Sequence, residues 1–596
     1  MAFEMFSAGL AAATDCAQDG LATVVSFQPL VEKTMFAEQV PYVTPFFEVS
    51  SHSLTNFVAL GSFSLFVART GVNTGLFVLY PISALHVHCT LQQAAEGLNA
   101  AAGLNDISTA RYLAAVFGAY PMALLFSSIP GRFAFLKHLV GAALGIYLAQ
   151  WVYGVQWIHS FVSSGAVYLI VVAGSLVPGV KHLVPWLVFI FAMLYMTAGH
   201  LVRQFVNAGG TATDWTGPQM VLTIKLIEFA WNYYDGIVAR AHLTKVAASD
   251  TRAAGQAKRQ LAAAVEYTPS PVEYFSYIFN FTAYFAGPAF EIRKFLEAND
   301  GSAYGKRGTA PPASRFLNGL GKMLVAVGYM AIYVTAQSYV PFNPHTSAEA
   351  MADTSFWGIA TGRYPFIWLS LVFATQCKYY FVWKLTEGSA VWAGFGYEPK
   401  NSNDQWGGAI QVNVLGFQTA PSFGKATRYW NMRTQHWLDH YIYRRITRTA
   451  SINMWATYFA SAFWHGFYPG YYLTFMSAPM FGILEKQLIK VVNPILYADK
   501  DGKPSAAAVQ PRKGRAIAAG MYTLLCSVVI NITLNYLALP FQITEWHRSI
   551  AMWGSLHFFV HVVCLALYIP AFGLPALGCC RGPRLKKKGG DSKKTQ

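Results

Sequence analysis

The sequence predicts an all-α polytopic membrane protein. Hydrophobic residues make up 54% of the 596 residues and charged residues only 12%, about half the ~25% of a soluble globular domain. Apolar runs long enough to cross a bilayer as helices, roughly 20 residues each, recur along most of the chain. The aromatic content of 15%, set against so little charge, excludes a disordered chain. The net charge is +16. In a membrane protein such an excess sits in cytoplasmic loops facing anionic headgroups, where it also attracts anionic soluble substrates. No basic soluble domain is visible, so nucleic acid is not an expected partner. The seven cysteines include no pair at zinc-ligand spacing, and their odd number argues against a disulfide framework.

Residues 1–108 read as an N-terminal extension of unknown role. An apolar stretch from about Leu54 to Cys89, interrupted at Arg69-Thr70-Gly71, supplies one or two membrane segments, and no basic region precedes an h-region as in a cleaved signal peptide. Four apolar runs follow, at about 111–128, 132–154, 160–177 and 183–205. Thr216-Gly217-Pro218-Gln219-Met220 opens the next, with its proline near the helix start, and it closes at Trp231-Asn232-Tyr233-Tyr234-Asp235-Gly236. Asp214 and Asp235 are expected at helix ends as capping or solvated groups. Glu228, three residues after Lys225, is expected in an ion pair within the helix. Residues 238–268 are polar and read as a cytoplasmic surface helix. Asn280-Phe281-Thr282 is formally a glycosylation sequon, but its apolar, aromatic surroundings favour Asn280 as an internal hydrogen-bonding group.

Further helices are expected at about 316–340 and within 355–395, before a polar stretch, 396–429, that leads into Trp430-Asn431. His436 and His440 are spaced as in a metalloprotease helix, but no third ligand and no glutamate base accompany them, so no metal is expected. Arg444, Arg445 and Arg448 place the next turn on the cytoplasmic side. From there 452–476 runs outward and 478–495 returns to a loop bearing Lys503, Arg512, Lys513 and Arg515. Then 516–540 and 548–575 go out and back, leaving the basic tail 579–596 in the cytosol. Its end, Lys593-Lys594-Thr595-Gln596, fits a dilysine retrieval signal for the endoplasmic reticulum.

The chain is organised around residues 430–475. His465 lies near the middle of the apolar stretch 452–475, where an ionisable group is either a functional residue or a neutral core histidine. Gly466, Pro469 and Gly470 follow at once and are expected to break the helix. Such breaks at membrane depth are tolerated where they line a cavity or are buried in protein.

Trp430-Asn431 followed by Ser461-Ala462-Phe463-Trp464-His465-Gly466-Phe467-Tyr468-Pro469-Gly470-Tyr471-Tyr472 resembles the signature of the membrane-bound O-acyltransferase superfamily, in its lysophospholipid acyltransferase branch. The blocks at 216–236, 274–291 and 376–388 resemble further motifs of that branch, and the likeness spans about residues 109–490. It implies that residues 109–578 form an acyltransferase domain of roughly 10–13 membrane helices around an intramembrane reaction chamber. The implied reaction moves a fatty acyl group from acyl-CoA, a cosubstrate drawn from the cytosol, to the free hydroxyl of a lysophospholipid, lysophosphatidylcholine or lysophosphatidylethanolamine first. No bound cofactor is implied, and a homo-oligomer is allowed for. The resemblance makes His465 and Asn431 catalytic: His465 as general base, Asn431 orienting the imidazole or the acceptor, or donating to the oxyanion. Trp464, Asn280 and Tyr471 become candidate substrate-binding residues, and Arg444 and Arg445 candidates to meet the CoA moiety. A sterol, diacylglycerol or protein acceptor, or a transporter gated by a membrane histidine, are the rival expectations.

Overall fold

The computed structural model describes residues 88–100, 107–206, 214–339 (without 250 and 252), 375–446 (without 400, 402 and 403), 449–498, 505 and 510–568. Arg448, the segment up to residue 87 and the tail 579–596 lie outside the described residues. The chain divides into two units between Ala115 and Val116. In the first, residues 88–100 are helical. Cys89 is disulfide-bonded, so one bridge exists where the odd cysteine count argued against a framework. Cys377, Cys526 and Cys564 are free.

The described residues are almost wholly helical. The first apolar runs become α1 (Ile107–Ser128), α2 (Ala134–Tyr153), α3 (Trp157–Leu176) and α4 (Val184–Leu201), followed by α5 (Thr216–Tyr233). From Leu222 to Tyr233 every residue of α5 is buried, and α3 and α4 pack against it. The outer helices keep an apolar face uncovered: Leu125, Leu169, Leu176 and Ile517 are 67–82% exposed. Apolar area of that extent is stable in contact with lipid tails. The polar stretch forms two short surface helices, α6 (Arg240–Ala247) and α7 (Ala254–Ala263). Next comes α8 (Pro271–Ile278), started by a capping box between Ser270 and Glu273 with proline at its first turn. Then follow α9 (Ile292–Asp300), α10 (Ser314–Tyr339) and α11 (Gln376–Ala393).

Residues 404–446 hold three short helices, α12 (Val414–Gln418), α13 (Phe423–Tyr429) and α14 (Met432–Trp437). α15 (Ala450–His465) starts at a Thr449 cap and stops at the histidine itself, and α16 (Pro469–Leu496) begins after a three-residue gap. A two-residue antiparallel pairing, β1 (Tyr497–Ala498) with β2 (Gln510–Pro511), precedes α17 (Ala516–Ile543). The stretch expected as one span, 548–575, is broken instead. α18 (Trp546–Ser555) and α19 (Phe559–Tyr568) meet at 72°. Phe558 N donates to Trp553 O and His557 N to Gly554 O, with positive φ at both His557 and Phe558, a Schellman closure that ends the first helix. Among the described residues five helical stretches are long and apolar enough to cross a membrane, six if the bent pair is one span. The protein is a multi-pass, all-α membrane protein.

Candidate active site

The helix break after His465 is built by glycine. Gly466 has φ +121, and a Cβ there would press on the His200 ring. His200 Nε2 donates to the carbonyl of Trp464 at 3.0 Å, taking up a group that the ending helix leaves free. His200 is a buried residue of α4 that sequence reasoning missed, since nothing local ties it to the break.

His465 is fixed in one tautomer. Its Nδ1 lies 2.7 Å from the carbonyl oxygen of Ser461, one turn back. A carbonyl only accepts, so Nδ1 carries the proton and Nε2 is left as the bare acceptor. The ring is walled by aromatics. Phe475 stacks at 4.8 Å, Phe541 and Trp464 stand edge-on at 5.1 and 4.6 Å, and Tyr471 lies at 5.9 Å. Trp464 is buried and its Nε1 donates to Met220 O in α5 at 2.9 Å, pinning the helix end to the core.

Asn431 starts α14 in the left-handed region, φ 41, which asparagine tolerates better than most residues. Its side chain does not cap the helix. The position is set by its neighbours. Met432 N donates to Gln411 O at 2.6 Å, and Gln411 N in turn donates to Glu387 Oε1 at 2.7 Å. Lys384 Nζ bonds the same carboxylate at 2.8 Å, and Glu387 is fully buried. An acidic residue in an aromatic, apolar run was the available signal for Glu387. Its partner across the loop is invisible to local pattern. α14 ends at Trp437, also fully buried, whose ring packs 6.0 Å from that of Trp464. The Asn431 segment and the His465 segment therefore share a wall.

The other expected site residues are more engaged. Asn280 Oδ1 accepts from Thr282 N and Oγ1 at 3.1 and 2.9 Å, forming a buried turn of its own. Arg444 bonds Asp439 at 2.8 Å and stays part-exposed. Arg445 forms a two-pronged pair with Asp235, one arm at 3.0 Å, and its guanidinium lies 4.1 Å over Trp231. Asp235 is only 1% exposed, which corrects its expected place as a solvated or capping group. Asp214 stands just before the helix start, where it accepts from Thr216 N at 3.0 Å and pairs with Arg203 at 3.0 Å. The expected Lys225–Glu228 pair is also replaced. Lys225 Nζ donates to the carbonyls of Tyr277 and Ile278, because these face the buried lysine across the helix interface while Glu228 points towards His436.

His436 lies between two carboxylates, 3.6 Å from Glu291 and 4.0 Å from Glu228, and stacks on His440 at 4.0 Å. Burial first, then the neighbouring His440, Arg433 and Lys294, hold its imidazole far below its ordinary range. No grouping of three such residues suited to a metal ion occurs among the described residues.

The family model of the membrane-bound O-acyltransferases matches residues 200–504, more than half of the chain. The chain belongs to the membrane-bound O-acyltransferase (MBOAT) family. The match takes in α5, the Asn431 loop, α15 and α16. Curated relatives agree with it. A lysophospholipid acyltransferase of Saccharomyces cerevisiae is 27% identical, over 77% of this chain and 73% of that protein. Membrane-bound glycerophospholipid O-acyltransferase 2 of Mus musculus is 27% identical, over 73% and 79%. Lysophospholipid acyltransferase 2 of Arabidopsis thaliana is 26% identical, over 79% and 94%. As an MBOAT protein the chain is an O-acyltransferase, and an alcohol acceptor needs a base such as the unprotonated nitrogen that the Ser461 carbonyl leaves on His465.

Proposed function

We propose that this protein is an acyl-CoA-dependent lysophospholipid acyltransferase, with lysophosphatidylcholine or lysophosphatidylethanolamine as acceptor. The observation that carries the reading is the locked His465 imidazole, its bare Nε2 set in an aromatic wall at the break between α15 and α16. The names of the relatives support the acceptor class. In the reaction, Nε2 takes the proton of the lysophospholipid hydroxyl as its oxygen attacks the thioester carbonyl. The tetrahedral intermediate collapses with cleavage of the carbon–sulfur bond, and the departing thiolate receives the proton. The Asn431 carboxamide orients the acceptor or donates to the oxyanion. No acyl-enzyme and no metal enter this scheme. The apolar substrates arrive through the bilayer, and the anionic CoA moiety from the basic, cytosolic side. The tail carrying Lys593 and Lys594 keeps the protein in the endoplasmic reticulum.

The test expresses the protein in membranes lacking this activity, with labelled oleoyl-CoA and a panel of lysophospholipids. His465→Ala is expected to lower product formation by about 10²–10⁴-fold at equal protein level, the usual worth of a general base. Undiminished product in that variant removes His465 as the base. Product with a sterol, diacylglycerol or peptide but with no lysophospholipid replaces the acceptor class.

A further inference from the structure

Four side-chain carboxamides form a closed ring within the membrane-spanning part of the protein. Gln376 Nε2 donates to Asn535 Oδ1 at 3.0 Å, and Asn535 Nδ2 donates to Asn531 Oδ1 at 2.9 Å. Asn531 Nδ2 donates to Gln418 Oε1 at 2.7 Å, and Gln418 Nε2 returns to Gln376 Oε1 at 2.7 Å. Each amide thus gives one hydrogen bond and takes one around the ring. The Tyr380 hydroxyl braces it, donating to Gln376 Oε1 and accepting from Gln418 Nε2, both at 3.0 Å.

The ring joins α11, α12 and α17. Two asparagines sit on α17, a helix apolar and long enough to cross the membrane, where an unpaired polar group is costly. Hydrogen bonds running in one direction polarise each other, and removing one member takes a hydrogen bond from the amide on each side of it. Such a ring has one satisfied geometry, so it fixes three helices in register.

What it holds is the site. The Tyr380 ring packs on Trp430 at 5.8 Å, and Phe417, next to Gln418, does so at 5.0 Å. Trp430 immediately precedes Asn431. Six residues beyond Asn535, about 9 Å along the helix, α17 presents Phe541 edge-on to His465 at 5.1 Å. The same ring therefore underlies the segment of one reacting residue and the wall of the other. We infer that Gln376, Gln418, Asn531 and Asn535 are positioning residues that set Asn431 against His465 for acyl transfer. The inference rests on the reading of those two as the reacting pair.

The test uses the full chain in detergent, with near-isosteric Asn535→Leu and Gln376→Met, and with Asn535→Asp. Kinetics are referred to the monodisperse protein recovered by size exclusion. The two apolar variants are expected to lose about 10- to 100-fold in kcat, the effect of a misplacement near 1 Å, with KM for oleoyl-CoA changed by less than about twofold. Asn535→Asp closes the ring only while its carboxyl holds a proton, which restores the donor to Asn531. Its kcat relative to wild type is therefore expected to rise as pH falls. Full kcat per folded molecule in the apolar variants overturns the inference, even if less folded protein is recovered, because the ring then only holds the fold together. Should those variants give no folded protein, Asn535→Asp decides alone, and full activity independent of pH overturns the inference. His465→Ala runs beside them. An active His465→Ala removes the reacting pair and the inference with it. An inactive one beside ring variants of wild-type kcat removes the inference only.

Discussion

Gly470 has no room for a methyl group. It opens the helix that follows His465, its N–H donates to Thr544 O at 2.8 Å, and a Cβ there would be driven into the carbonyl oxygen of Pro540. Gly470→Ala is expected to cost about 1–3 kcal/mol of stability, as overpacking does, and to lower kcat by displacing α16 from α17 beside the imidazole. Gly520→Ala, on an exposed turn of α17 with nothing within 4 Å, is the comparison and is expected to be neutral or slightly stabilising. Thermal melting of monodisperse protein distinguishes the two. That His465 should lie at a break was legible, because Gly466, Pro469 and Gly470 announce it locally. That Pro540 and Thr544 close against Gly470 was not, because the demand for glycine comes from another helix. Arg445 is the same case. Its motif-adjacent position suggested the CoA moiety, whereas its partner Asp235 stands 210 residues away in the chain.

The helices that carry the fold were legible as elements because the membrane demands continuous apolar runs, and α1 to α4, α10 and α17 coincide with such runs to within a few residues. The three short helices before α15 were not, since their order depends on tertiary bonds such as Glu387 to Gln411 and Glu485 to the N–H of Phe423 at 2.6 Å. The turn between α14 and α15 gives a direct measure of how much one such bond holds. Arg445 and Asp235 are 7% and 1% exposed, whereas Arg444 and Asp439 are 35% and 30% exposed. Removing one partner of a buried pair leaves the other charge stranded, so Asp235→Ala is expected to destabilise by roughly 3–5 kcal/mol. Asp439→Ala, whose pair is screened by water, is expected to change stability by less than about 1 kcal/mol. Denaturation midpoints in a fixed detergent compare them. Equal midpoints would mean that Trp231 stacking, rather than the ion pair, holds Arg445 in place.

At the scale of the whole molecule, charge is expected to separate the routes of the two substrates of the proposed reaction. The net charge of +16 cannot sit among the exposed leucines of the outer helices, so it gathers in loops and tail, where it faces water and headgroups. In the proposed reaction the CoA thioester, strongly anionic, is expected to reach the site through that water. The proposed lysophospholipid acceptor partitions into the bilayer and is expected to reach the site laterally. Exposed charges act over a Debye length of about 10 Å at 0.1 M salt and about 3 Å at 1 M. Raising the salt is therefore expected to increase KM for the acyl-CoA several-fold and leave kcat unchanged, because steering concerns encounter and not the chemical step. KM for a zwitterionic lysophospholipid, delivered by the membrane, is expected to stay constant over the same range. The measurement also fixes orientation. In sealed vesicles with the C-terminal tail outward, external acyl-CoA should be used with this salt dependence. If only inward-tail vesicles used it, the basic loops and the donor entrance would lie on opposite faces of the membrane, and the cytosolic placement of the tail would fall.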